Sequence, residues 1–117
     1  MIGLIPRPLH AVLDYLWGIA MLLAPQLMGF EGNKAADAYC KARGGGMIAT
    51  SLMTRYELGL IKIIPFNMHL LLDLTGALLG FAAPTLFGFD KDKKATQAAI
   101  AFSAFELGAV LFSKRDK

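Results

Sequence analysis

The chain has only two histidines, and each stands four residues before an aspartate: His10 with Asp14, and His69 with Asp73. Residues four apart share one face of an α-helix about one turn apart, so each pair offers an imidazole and a carboxylate to the same neighbour. Glu57 and Glu106, each opening a Glu-Leu-Gly triplet, bring two further carboxylates. Imidazole and carboxylate together are a ligand set for Zn, Fe or Mn and also a proton-carrying pair. The same six side chains equally make a hydrogen-bonded network that binds nothing. A third chemistry places His10 and His69 as the two axial ligands of a haem b. Four carboxylates, two imidazoles and Arg55 cannot all keep free charges in a poorly solvated site. Some acids must be neutral, the histidines protonated, or a cation present.

The elements that must position these groups are repeated. Laid over Ile64 to Phe89, the stretch Ile5 to Phe30 shows 10 identities in 26 positions, among them both His and Asp pairs, Pro25/Pro84 and Gly29/Gly88. A second match, in a different register, aligns Glu57 with Glu106 and Thr54 with Ser103. The expected organisation is therefore one domain over 1–117, with repeat 1 at 5–63 and repeat 2 at 64–113. Each repeat contributes two helices, so the halves are expected to share one membrane orientation about a pseudo-two-fold axis.

Hydrophobic residues make up 56% of the chain and charged ones 18%, a balance that favours a membrane class over an ordinary soluble one. The formal charge of +3 is scattered at segment ends and forms no basic stripe, which argues against nucleic acid. The single Cys40 excludes an intrachain disulfide. No Walker loop, dinucleotide fingerprint, nucleophile elbow or HExxH is present, so the expected role is non-enzymatic.

Four spanning helices are expected. Helix 1 starts near Pro8, where proline removes only an N–H that has no intrahelical partner, and Pro25 kinks or ends it. Glu31 to Arg43 reads as a polar loop, with room for a short surface helix over Lys34 to Ala42. Helix 2 is placed from Gly45 to Ile63, helix 3 from Phe66 to Phe87 and helix 4 from Ala95 to Ser113. Gly76, Gly80 and Ala83 give helix 3 a small-residue face of the kind that lets helices approach closely in lipid. Phe30, Phe87 and Phe89 at one end, and Tyr15, Tyr56 and Phe66 at the other, read as membrane-belt aromatics. Lys114 to Lys117 reads as an interface anchor. His10, Asp14, Glu57, His69, Asp73 and Glu106 are expected to fall in one layer near the ends of these helices.

A repeat reading His-x-x-Leu-Asp, an apolar run, then a proline-containing turn closing on Gly-Phe resembles the SPW-repeat integral membrane family. Where that family carries Ser-Pro-Trp, this chain has Ala24-Pro25-Gln26 and Ala83-Pro84-Thr85. The resemblance implies an integral membrane location and duplicated helix pairs, and implies no particular activity. The overall expectation is an all-α four-helix membrane bundle in a bacterial inner membrane, surrounded by lipid, acting as a scaffold or accessory subunit, as a homo-oligomer or within a larger membrane complex. The alternatives are a cation-binding or proton-handling membrane protein, a haem b binder, and a soluble helical bundle.

Overall fold

The computed structural model describes residues 3–113 and is all-helical: α1 (Arg7–Met28), α2 (Lys34–Leu52), α3 (Phe66–Leu86) and α4 (Lys93–Phe112). The expected Lys114 to Lys117 anchor lies outside the described residues. Among the described residues there are no strands, only two isolated bridges, Ile5 with Ser113 and Thr54 with Ile64. α1 packs chiefly on α2, and α3 on α4, with lighter contacts joining the two hairpins.

The repeated Pro and Gly-Phe form helix stops. α1 runs past Pro25 to Met28, Gly29 takes a left-handed φ of 78°, and Phe30 N–H donates to the Pro25 carbonyl at 2.9 Å. Around Pro84, Gly88 has φ 76° and Phe89 N–H donates to the Pro84 carbonyl at 2.8 Å. This closes otherwise orphaned carbonyls and needs glycine at the positive-φ position. It also turns Phe30 and Phe89 into the core, where they are 3% and 2% exposed. Tyr56 and Phe66 are likewise buried, so of the expected belt aromatics only Phe87 is exposed and Tyr15 half-buried.

The largest correction concerns the second helix. It begins at Lys34, not Gly45, and ends at Leu52, so Arg55, Glu57 and Lys62 fall in a non-helical connection. The charges of Glu31 to Arg43 conceal an amphipathic pattern. Ala36, Tyr39 and Cys40 point inward, while Lys34, Lys41 and Ala42 lie outside, and the Asn33 side chain caps the helix by accepting from Ala36 N–H at 3.2 Å. Asp92 caps α4 in the same way, accepting from Ala95 N–H at 3.1 Å. Because the helices start at Lys34 and Lys93, the residue of α2 that stands where Glu106 stands in α4 is Met47, not Glu57.

Gly44-Gly45-Gly46 is helix interior. At Gly44 a Cβ would meet the Gly18 carbonyl oxygen at 2.6 Å, whereas at Gly45 it would meet nothing within 4 Å. α1 and α2 thus pack backbone against backbone at Gly18 and Gly44. α1, α3 and α4, at 22, 21 and 20 residues, are long and apolar enough to cross a membrane, since about 20 residues span a hydrocarbon core of about 30 Å. Large apolar side chains remain outside the bundle, including Leu16 at 58%, Leu27 at 78% and Leu86 at 63% exposure.

Gly44→Ala is expected to destabilise the protein by about 1–3 kcal/mol through overpacking, and Gly45→Ala to stabilise it by up to about 1 kcal/mol through helix propensity. Denaturant unfolding of the two variants, followed by circular dichroism in mild detergent, checks the opposite signs.

Candidate metal centre

His10 and Asp14 project from the first turns of α1, and His69 and Asp73 from those of α3. All four are buried, and one ligand atom from each lies within 4.8 Å of the others. His10 Nε2 is 3.2 Å from Asp14 Oδ1 and 3.2 Å from Asp73 Oδ2. His69 Nε2 is 2.8 Å from Asp14 Oδ2 and 3.1 Å from Asp73 Oδ2. Each carboxylate therefore lies between the two imidazoles and touches both.

The other nitrogen of each ring fixes the tautomer. His10 Nδ1 contacts Ser113 Oγ, and His69 Nδ1 contacts Thr54 Oγ1 at 2.7 Å. Both hydroxyls already donate to the carbonyl four residues earlier, Ser113 to Ala109 and Thr54 to Thr50. A hydroxyl has one proton to give, so each must accept from the ring, and the ring nitrogen it faces carries the hydrogen. Nε2 of both histidines is left to face the carboxylates. The two isolated bridges place these hydroxyls, because they hold Ser113 beside the entry to α1 at Ile5 and Thr54 beside the entry to α3 at Ile64.

Aromatic rings close the centre on the side of the helix starts. Phe66 lies edge-on to His10 with ring centroids 5.2 Å apart, and Tyr56 lies 5.4 Å from His69. The Tyr56 hydroxyl donates to Asp14 Oδ2 at 3.1 Å. Burial, with the Asp14 charge beside it, raises the Tyr56 phenol above its ordinary range, so it stays protonated as a donor.

The expected layer of six residues divides in three. Four converge as described. Glu106 is buried on α4 but pairs with Arg43 of α2, whose guanidinium lies 4.9 Å from the Trp17 ring centroid. Glu57 is at the surface, 45% exposed, and accepts from Arg7 Nε at 3.0 Å. Of the small-residue face, Gly80 and Ala83 are buried, and a Cβ at Gly80 would fall 1.8 Å from Ser103 Oγ. Gly76 serves otherwise: a Cβ there would meet the Arg43 guanidinium nitrogens at 2.8 Å, so its missing side chain is the space that Arg43 fills. The haem expectation fails because Asp14 and Asp73 occupy the gap between the two Nε2 atoms where a macrocycle would lie.

Sequence reasoning missed Thr54, Ser113, Tyr56 and Arg43. The interval from Thr54 to Ser113 equals that from His10 to His69, and following that one register beyond Phe30 would have found this pair; Tyr56, opposite Arg115 in that register, carried no such signal. Arg43 carried no such signal, since the same register sets Phe102 opposite it.

A tetrahedral ion bound by nitrogen and oxygen at about 2.0–2.2 Å has ligand atoms about 3.4 Å apart. To receive one, the nitrogen–oxygen distances of 2.8 to 3.2 Å would expand by about 0.2–0.6 Å, and any wider separation in a group spread over 4.8 Å would contract. Fold and site thus define a small helical bundle with a buried two-histidine, two-aspartate centre able to hold a metal ion. No protein-family model, curated protein or solved structure matches the chain.

Thr54→Val leaves the His69 Nδ1–H buried without an acceptor and is expected to cost about 1–3 kcal/mol. Glu57→Gln, at an exposed pair, is expected to change stability by about 0–1 kcal/mol. Hydrogen bonding from Arg7 holds the Glu57 carboxyl below its usual range. Any contribution it makes is therefore present at neutral pH and fades as acidification protonates the folded-state carboxylate. Unfolding of both variants at pH 7 and of wild type and Glu57→Gln at pH 3–4 checks the ranking and the sign.

Proposed function

We propose that this chain is a small integral membrane protein whose buried centre, His10, Asp14, His69 and Asp73, holds one divalent transition-metal ion. The observation that carries this reading is His69 Nε2. It lies 2.8 and 3.1 Å from two carboxylate oxygens, yet neither contact has hydrogen-bond geometry and the atom is buried without a hydrogen-bond partner. A nitrogen close to two oxygens but aligned with neither suits a lone pair directed at a point between them better than an N–H directed at one. Two neutral imidazoles, two carboxylates and a dication make a neutral unit, which is the charge state a buried site tolerates best. Zinc suits an N2O2 tetrahedron because its filled d shell imposes no other geometry. Thr54 and Ser113 supply the outer hydrogen bonds that orient metal-bound histidines.

The role in this reading is non-enzymatic. Four protein ligands complete a tetrahedron, as in structural zinc sites, whereas catalytic sites keep a position open. The ion would join the two hairpins at the level where α1 and α3 meet, in the manner of a scaffold or accessory subunit. The long apolar helices and their exposed leucines support the membrane setting, and the recurrence of the His-x-x-x-Asp pair, Asn33/Asp92 caps and Gly29/Gly88 stops supports an internal duplication about a pseudo-two-fold axis. Likeness to SPW-repeat proteins accords with both, and with a bacterial inner membrane.

A second reading keeps the centre metal-free, with two protons in place of the ion and both imidazoles cationic. The His10 Nε2 to Asp73 Oδ2 hydrogen bond of 3.2 Å favours it. Metal analysis decides between them. Detergent-purified protein incubated with Zn2+ and dialysed is expected to retain one ion per chain, and the Asp14→Asn/Asp73→Asn double variant less than a tenth of that while keeping its helical circular dichroism. A folded wild type that retains none overturns the metal reading. Affinity is also expected to fall on acidification, because protons compete with the metal for Nε2; competition titrations at pH 7.5 and 5.5 measure it.

A further inference from the structure

The centre is closed on the side of the helix starts by Tyr56 and Phe66, but Asp73 forms part of the wall of a pocket that opens between α2 and α3. This pocket has a volume of about 200 Å³ and is lined by Arg43, Gly46 and Thr50 of α2, Leu72 and Asp73 of α3, and Glu106 of α4. Two carboxylates and one guanidinium thus face one space. With Gly76 offering room on one side and the Trp17 ring on the other, the guanidinium is drawn against Glu106 Oε1. Glu106 Oε2 is left buried with no hydrogen-bond partner, on a residue only 3% exposed. A buried carboxylate oxygen in that position is costly unless an ion, a water or a proton satisfies it. By contrast, the groove bounded by Leu13, Phe105, Gly108 and Phe112 is almost wholly apolar.

We propose that the pocket between α2 and α3 is the aqueous entrance to the metal centre and that Glu106 is its receiving carboxylate, a transient site for the divalent cation before it passes to Asp73. The inference rests on the metal reading above. In it, Glu106 sets the rate at which the ion is captured and takes no part in holding it once bound. The guanidinium on Oε1 weakens the carboxylate's hold on a dication, as a passing site requires, and leaves Oε2 without a competing hydrogen-bond partner.

Two experiments on the full chain in lipid nanodiscs test it. In a Cys40→Ala background, Gly46→Cys places a thiol in the pocket and Gly108→Cys places one in the apolar groove. A Cβ at either glycine meets nothing within 4 Å, and the two sites differ by only about 3 Å in distance from the ends of α2 and α4 at 1.5 Å per residue. A cationic, water-soluble methanethiosulfonate is expected to label Gly46→Cys at least tenfold faster than Gly108→Cys; equal rates, or no labelling of Gly46→Cys, overturn the entrance. In stopped-flow loading of chelator-stripped protein with Zn2+, Glu106→Gln is expected to slow uptake at least tenfold while the final stoichiometry stays at that of wild type. An unchanged rate, or a reduced stoichiometry, overturns the role of Glu106. Wild type that takes up no zinc overturns both readings, whereas wild type that loads while either variant result fails overturns this inference alone.

Discussion

Everything in this bundle is arranged around the requirement that two carboxylates and two imidazoles, buried together, sum to no net charge. A single unpaired ion in an apolar interior costs several kcal/mol even after relaxation, and removing one partner exposes that cost in the other. Asp14 and Asp73 each lie between His10 and His69, so neither carboxylate depends on one histidine alone. The centre is balanced by two protons or by one dication, and the hydroxyls of Thr54 and Ser113 hold the rings in the same orientation for either filling. That interchangeability makes the site suited to a metal.

The surrounding fold follows from the need to bring α1 and α3 to this point. Their histidines lie in the first turns, so the helix entries at Ile5 and Ile64 must be held near each other. The isolated bridges do this by tying each entry to the chain that leaves α4 or α2. The helix stops at the far end, with prolyl carbonyls closed by Phe30 and Phe89, set the turns that let α2 and α4 return alongside. Gly44 against Gly18 then draws the first hairpin tight.

The two halves differ where the pocket lies. In the register that pairs His10 with His69, Trp17 of α1 has Gly76 as its counterpart, and Arg43 uses the space that exchange opens. Met47 has Glu106 as its counterpart, and the charge of Glu106 answers that of Arg43. The ion pair between Arg43 of the first half and Glu106 of the second thus spans the two beside a polar opening.

The sequence by itself determined the helical class, the extents of α1, α3 and α4 to within a few residues, and the identity of the two His/Asp pairs. Those are local or periodic properties: apolar length, the four-residue spacing that stacks side chains on one face, and a repeat that survives translation along the chain. It did not place α2, because a polar face masked the three-and-four spacing of Ala36, Tyr39 and Cys40. Nor did it separate Glu57 from Glu106, which share a triplet but lie on different kinds of backbone. Only the tertiary structure decided that four of the six polar residues meet, that Glu57 faces outward, and that two hydroxyls and a tyrosine complete the centre. Contacts between residues 42 to 103 positions apart depend on how hairpins dock, and no spacing within one helix encodes that.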